Sequence, residues 1–237
     1  MTPTPERPES HPDARQIARL RWRALLNRNP CALLLFVQLA GVLLYPFIET
    51  LQTGNPVFGA FGVLVLVLTI AMVRSTAGRA WISATLAVPA VLLNILHATL
   101  HMHALLPWAA TLEALFYFHA AWCLVVYMLD DRRATSDELF AAGATFTLLA
   151  WGFTFVFVAC QAVQPGAFGG TADHPRSWTE LMFLSFVLLS STGIGDVVPI
   201  TSHARALASV EIFVGIMYLA LVVSRLIGLT VLSREQR

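Results

Sequence analysis

Residues 177–200, SWTELMFLSFVLLSSTGIGDVVPI, decide the fold of this chain. Ser177, followed three residues later by Glu180, forms the pattern of a capping box and predicts that a helix starts here. The apolar run that follows predicts a helix over 177–189, which is too short to cross a bilayer. We therefore expect a helix that enters the membrane to half its depth and is followed by an irregular segment.

That irregular segment contains two alternating glycines, Gly193 and Gly195. Glycine has no Cβ and adopts left-handed dihedrals that other residues avoid. A strand that alternates between right- and left-handed dihedrals points its carbonyls to one side, and such a row of oxygens can replace the water around a cation. The C-terminal end of the preceding helix would direct its partial negative charge toward the same ion. The pattern favours a cation filter over a glycine-rich re-entrant turn of a transporter.

The segment 190–196, SSTGIGD, resembles the selectivity filter of tetrameric potassium channels, whose usual form is Thr-Val-Gly-Tyr-Gly-Asp. Ser191, Thr192 and Ile194 take the places of the family's Thr, Val and Tyr. The remaining positions match outright: Gly193, Gly195 and Asp196. The resemblance extends over about 140–231, because further residues stand where simple bacterial potassium channels carry the same ones: Pro199, Thr201, Arg205 and Gly215.

The resemblance also implies roles for individual residues. Potassium ions are expected at the backbone carbonyls of Ser191, Thr192, Gly193 and Ile194 and at the Ser191 hydroxyl, within a filter over 191–195. Asp196 is expected to hydrogen-bond behind the filter and to attract cations to the outer mouth.

Three residues outside the filter are further candidates. Glu180 and Glu211 are expected to support it, although Glu211 could instead lie near the cavity. Gly215 matches the hinge glycine of the inner helix, and close helix packing is the alternative.

The composition is that of an integral membrane protein. The chain has 237 residues, of which 57% are hydrophobic and 12% charged, and its mean hydropathy is +0.70. Soluble domains carry about 25% charged residues. The formal net charge of +1 argues against binding to nucleic acid. The cysteines fall within apolar runs, which suits buried side chains better than disulfides.

Six apolar runs, each close to the length that a helix needs to cross hydrocarbon, predict six transmembrane helices. They cover 31–48, 56–73, 80–100, 107–129, 139–163 and 204–231. If both termini are cytoplasmic, only Arg176 and Arg205 among the arginines lie outside, which satisfies the positive-inside rule. We expect an all-α, multi-pass protein of the plasma (inner) membrane, with a re-entrant helix and filter loop between its fifth and sixth spans.

The chain divides into five predicted parts. They are a cytoplasmic N-terminal segment 1–30, a four-helix domain 31–130, a linker 131–138, a pore domain 139–231 and a tail 232–237. The N-terminal segment is expected to contain an amphipathic helix suited to anionic headgroups, or to serve as a plain positive-inside anchor. The outer loop 164–176 is expected to be a flexible turret, and Arg225 to extend toward lipid phosphate.

The four-plus-two plan resembles the voltage-gated cation channel superfamily. A voltage sensor needs several arginines or lysines on the fourth span. The run 107–129 contains neither, and Glu113 is its one charged residue. We therefore expect conduction that depends little on voltage.

The function that these observations predict is passive conduction of potassium by a homotetramer, without an enzymatic step and without a cofactor other than the permeant K+. A weakly selective sodium/potassium channel is the alternative, because Ile194 cannot supply the hydrogen bond of the family's tyrosine. From another class, the alternative is a membrane-embedded metal-binding enzyme or transporter that uses His97, His101 and His103 with Glu113. A secondary transporter with inverted repeats is less favoured, since no second loop of this kind occurs in the first half.

Overall fold

The computed structural model describes residues 30–49, 80–100, 103–130, 136–170 and 174–235. The predicted N-terminal amphipathic helix and the predicted second span, 56–73, lie outside the described residues. Most of the linker, 131–135, lies outside them as well.

The described residues form α-helices joined by short connections, with one small pair of strands. The helices are α1 (Pro30–Glu49), α2 (Ala80–Leu100), α3 (Leu106–Asp130), α4 (Ser136–Val163), α5 (Trp178–Leu189) and α6 (Ser202–Glu235). A single 3-10 turn, His103–Leu105, precedes α3. The strands β1 (Phe168–Gly169) and β2 (Val198–Pro199) pair antiparallel, with Phe168 opposite Pro199.

Four of these helices are long and apolar enough to cross a membrane. Their spanning segments are Pro30–Phe47, Leu106–Leu129, Asp137–Val163 and Ser202–Arg225. These segments agree with the first, fourth, fifth and sixth predicted spans within two residues at each end, except that the sixth ends at Arg225 and not at 231. The third predicted span is the helix α2, with the predicted bounds. The 12-residue α5 is too short to cross, as its sequence predicted.

A hydrophobic core joins the leading helices to the pore helix α5. Its buried residues come from α1 to α5 and include Leu34, Phe116, Trp151 and Met182. Trp178, the first residue of α5, lies with its ring centroid 4.0 Å from that of Tyr45 in α1 and 5.9 Å from that of Trp151. The leading helices therefore contact the start of the pore helix directly.

At the N-terminal end of α4, two buried carboxylates make hydrogen bonds or an ion pair with three neighbouring helices. Asp137 accepts hydrogen bonds from the Cys31 backbone N–H at 3.0 Å and from the Tyr127 hydroxyl at 3.2 Å. Glu138 forms an ion pair with Arg225 of α6, with Nη2 and Oε1 3.1 Å apart. The expectation that Arg225 extends to lipid phosphate is therefore wrong, because a carboxylate with 4% of its side chain exposed lies within reach.

The outer loop is more ordered than its glycine and proline content predicted. Its described residues are 164–170 and 174–176, and the first of these segments contains β1, which pairs with β2 just before α6. The Ile200 backbone N–H also donates to the Ala167 carbonyl at 2.8 Å. The prediction of a flexible turret is wrong for this part, since its backbone is hydrogen-bonded to the segment that follows Asp196.

Candidate ion-conducting site

The pore helix α5 begins with the predicted capping box. The Glu180 N–H donates to Ser177 Oγ at 3.3 Å, and the Ser177 N–H donates to Glu180 Oε2 at 2.7 Å. The other oxygen, Oε1, accepts a hydrogen bond from Arg176 Nη1 at 3.2 Å. Two orphan backbone donors of the first turn are thereby satisfied, and the prediction for this helix start is confirmed.

The charge of Glu180 is stabilised by these contacts. Partial burial by itself raises the pKa of the Glu180 carboxyl. The hydrogen bond from the Ser177 backbone and the Arg176 guanidinium outweigh this effect, and the pKa is lowered from its ordinary value of 4.5. Glu180 is therefore an ionised support at the start of the pore helix.

Two glutamines, one in the last turn of α4 and one directly after it, form hydrogen bonds with both ends of the re-entrant loop. Gln161 makes a pair of hydrogen bonds of 2.9 Å with the backbone N–H and carbonyl of Arg176, just before α5. Gln164 Oε1 accepts from the Thr201 hydroxyl at 2.9 Å, just before α6. Both connections of the loop are thus hydrogen-bonded to residues at the C-terminal end of α4.

The pore helix ends in a Schellman motif that leads directly into the predicted filter. The Thr192 N–H donates to the Val187 carbonyl at 3.1 Å, and the Ser191 N–H donates to the Leu188 carbonyl at 3.0 Å. This motif requires a left-handed residue after the helix, usually glycine. Ser191 takes that position with φ of 56°. The helix end therefore sets the first left-handed dihedral of the segment.

The residues 191–196, here called the filter ribbon, continue with alternating dihedrals. Positive φ recurs at Gly193 (70°) and Gly195 (152°), whereas Thr192 and Ile194 between them do not have it. Such alternation turns successive carbonyls to one side of the strand. All six residues are exposed in the single chain.

The hydroxyls at the inner end of the filter ribbon differ in their contacts. Thr192 Oγ1 lies 3.0 Å from Ser190 Oγ and 3.4 Å from the Val187 carbonyl oxygen, so it is turned back toward the pore helix. The Ser191 hydroxyl makes no hydrogen bond within the described residues. Its predicted role as an ion ligand stays a prediction.

At Ile194 the ribbon carries an apolar side chain where the family has a hydrogen-bonded aromatic. Ile194 is 70% exposed in the single chain. The ring of Phe183, on the pore helix, would lie 3.3 Å from a Cβ built on Gly195. At Gly195, the pore helix therefore approaches the ribbon with the apolar ring of Phe183.

Asp196 closes the filter ribbon with an exposed side chain. Within the described part of the chain its carboxylate accepts no hydrogen bond. The single chain thus offers no partner for a bracing role behind the filter. The exposed charge is suited to the other predicted role, attraction of cations to the outer mouth.

Glu211 lies on α6 behind the pore helix and is fully buried. Its Oε1 is in hydrogen-bond contact with the Ser185 hydroxyl of α5, and that hydroxyl also lies 2.7 Å from the backbone carbonyl oxygen of Ala150 in α4. This contact with the pore helix favours a place behind the filter over one near the cavity, and support of the filter by Glu211 stays a prediction.

Gly215 lies one helical turn beyond Glu211, against the last residue of the pore helix. A Cβ built on Gly215 would lie 2.8 Å from the Leu189 carbonyl carbon and 2.9 Å from its Cα. The helix α6 continues without interruption through this point. This contact favours the packing interpretation, and bending at Gly215 stays a prediction.

The candidate metal ligands are only partly described. His101 lies outside the described residues, and at His97 and His103 the structure describes the backbone alone. In the ranges that the structure describes, no group of three or more histidine, cysteine or acidic residues could hold a metal ion. Glu113 is half-buried on α3 and makes an interaction within the protein.

The sequence did not reveal the contacts of Ser185, Gln161 and Arg176. Ser185 is the one polar residue in the apolar run 181–189, and this signal could have marked it as the partner of another buried polar group. No local pattern marked Gln161, because the residue that it binds, Arg176, lies 15 positions away.

Comparison with known proteins gives one match. The family model described as an ion channel matches residues 114–231, from α3 to near the end of α6. No curated protein and no solved structure matches the chain. The matched residues include the pore helix, the filter ribbon and Gly215, on which the resemblance to potassium channels was based. The chain therefore belongs to the ion channel family, in its two-helix, potassium-channel-like form.

Proposed function

We propose that the protein is a potassium channel that conducts passively through a pore formed by four copies of the chain. The observation that carries the proposal is the filter ribbon. It follows a capped pore helix, alternates between positive and negative φ, and is exposed over all six residues in the single chain.

An exposed ribbon of this kind needs other copies around it. Irregular backbone at membrane depth is tolerated only where it is buried in protein or lines a water-filled cavity. A cage of carbonyl oxygens around a cation is built from four such strands. A homotetramer with the ribbon on its axis satisfies both requirements, and we propose this assembly in the plasma (inner) membrane with both termini cytoplasmic.

In this assembly the ions exchange water for protein oxygens. The carbonyls of Ser191, Thr192, Gly193 and Ile194 provide successive sites, and the Ser191 hydroxyl adds an oxygen at the innermost one. The carbonyl end of the pore helix faces the same axis with its partial negative charge. Ions then move by mutual repulsion between neighbouring sites, and no bond is made or broken.

Selectivity for potassium over sodium is the finer part of the proposal. The spacing of the glycines and the left-handed Ser191 favour potassium, because they support a filter of the family's length. Ile194, which can pack but cannot hydrogen-bond, supports the weakly selective alternative. The proposed test is therefore the reversal potential in planar bilayers under asymmetric potassium and sodium.

A reversal potential near the potassium equilibrium value is expected. A value close to zero would favour the weakly selective channel. Absence of current from correctly assembled protein would contradict both. The same recordings test voltage dependence: we expect a shallow conductance–voltage relation, because Glu113 is the one charged residue within 107–129.

A second test separates the filter from the histidine cluster. Gly193→Ala combined with Gly195→Ala places side chains on left-handed residues at a cost of about 1–2 kcal/mol each, and it should abolish potassium flux into liposomes. The control is Gly228→Ala, where a Cβ on α6 meets nothing within 4 Å. His97→Ala combined with His101→Ala should leave the potassium flux intact. If the histidine variant loses the flux while the glycine variant conducts, the metal-binding alternative is favoured.

A further inference from the structure

The buried carboxyl of Glu211 is enclosed between three helices. Glu211 has 0% exposure, and within the described part of the chain Ser185 is its one hydrogen-bond partner. No cation there pairs with it, and its second oxygen, Oε2, is buried without a partner. An isolated carboxylate in such surroundings is so costly that the group neutralises instead.

The hydrogen-bond geometry gives the same result independently. The Ser185 hydroxyl has one hydrogen and contacts two oxygens, Glu211 Oε1 and the Ala150 carbonyl oxygen at 2.7 Å. A carbonyl can only accept, and this one also accepts from the Thr154 hydroxyl at 2.8 Å. Both contacts of Ser185 are hydrogen bonds only if Glu211 supplies the second hydrogen.

We infer that Glu211 is an uncharged carboxylic acid that donates its proton to Ser185 Oγ, while Ser185 donates to the Ala150 carbonyl. This chain of two hydrogen bonds runs from α6 through α5 to α4 and makes Ser185 and Glu211 positioning residues for the pore helix. Their role in conduction rests on the proposed function, whereas the protonation of Glu211 does not.

The position of these two hydrogen bonds connects the inner helix α6 to the start of the filter ribbon. Ser185 and Leu189 are four residues apart on α5, and Glu211 and Gly215 are four apart on α6. Residues at this spacing share a helix face. The helices α5 and α6 therefore contact each other at two successive turns. At the first turn Glu211 is hydrogen-bonded to Ser185. At the next turn Gly215 lies close to the Leu189 backbone. The filter ribbon begins two residues after Leu189, so the inner helix fixes where the ribbon starts.

The test is infrared difference spectroscopy on the purified full-length protein in lipid at neutral pH. The spectrum of the parent chain minus that of Glu211→Gln should contain the carbonyl stretch of a protonated carboxylic acid. In the Ser185→Ala chain this band should shift in frequency, because the acid loses its acceptor. A purely structural contact between an ionised Glu211 and Ser185 would give neither result. The control, Glu113→Gln, should leave the Glu211 band in place.

A carboxylate band in the difference spectrum, or a protonated band unchanged by Ser185→Ala, would overturn the inference. Potassium flux then tests the positioning role. Glu211→Leu and Ser185→Ala should each reduce flux, and Glu211→Gln should rescue the loss seen with leucine, because a neutral amide N–H can replace the acid as donor. Equal flux for leucine and glutamine would refute this role. Presence of the band in a protein that conducts no ions would contradict the proposed function and leave the protonation intact.

Discussion

Gly215→Ala is the substitution whose effect the structure defines best. The added methyl would lie 2.8 Å from the Leu189 carbonyl carbon. Carbon atoms pack at about 3.5–4.0 Å, so this contact alone requires the two helices to separate by at least roughly 0.7 Å. The Leu189 carbonyl oxygen lies nearer still to the added methyl, so it requires a larger separation. The obstacle is backbone, which cannot turn aside as a side chain can. Overpacking of this kind costs about 1–3 kcal/mol.

A matched control removes the effect of helix propensity. Alanine in place of glycine within a helix gains up to about 1 kcal/mol, and this gain applies equally to Gly228→Ala on the same helix. A Cβ at Gly228 meets nothing within 4 Å. The difference between the two variants is therefore the overpacking cost alone, about 1–3 kcal/mol in favour of Gly228→Ala.

The assay is unfolding of both variants in the same detergent, followed by helical circular dichroism, with single-channel recording in parallel. Gly215→Ala should be the less stable of the two. Equal stability would refute the contact between Gly215 and Leu189. A large change of open probability without a difference in stability would instead support bending at Gly215.

Two further predictions concern charges at the ends of the helices. The pKa of Glu180 is lowered in the folded protein, so its stabilising effect is complete above the ordinary pKa of 4.5 and is lost as the pH falls through the pKa of the folded state. Glu180→Gln should therefore flatten the acid dependence of the unfolding temperature. An unchanged acid dependence would contradict the role of this carboxylate. Glu138→Leu removes the buried ion pair with Arg225 and should cost about 3–5 kcal/mol, measured by the same unfolding assay. The charge-swapped pair, Glu138→Arg with Arg225→Glu, should recover part of that loss, and no recovery would show that the pair itself does not stabilise the fold.

Features that depend on neighbouring residues were predicted from the sequence. The capping box of Ser177 and Glu180 is confirmed, because both partners lie within one helical turn. The bounds of the described spans agree with the apolar runs, since length and hydropathy alone determine them. The resemblance to potassium channels is confirmed by the family match, because the filter motif is a continuous segment.

The filter ribbon was predicted only in part. Positive φ was expected at Gly193 and Gly195, the residues that lack a Cβ. The third left-handed residue, Ser191, was not expected, because serine has no such preference. Its dihedral is set by the hydrogen bonds that end the pore helix.

The sequence by itself determined the class of protein, the helix that starts at the capping box and the place of the glycine-containing filter ribbon, because capping, periodicity and glycine spacing act over a few residues. Only the tertiary structure decided that Glu211 meets Ser185, 26 positions away, and that Arg225 meets Glu138, 87 positions away. It also decided that Gly215 lies against the pore helix and that the outer loop pairs with β2. Each of these contacts depends on which faces of distant helices and loops come together. That choice follows from the packing of the whole chain, and the local sequence does not show which distant partner each residue meets.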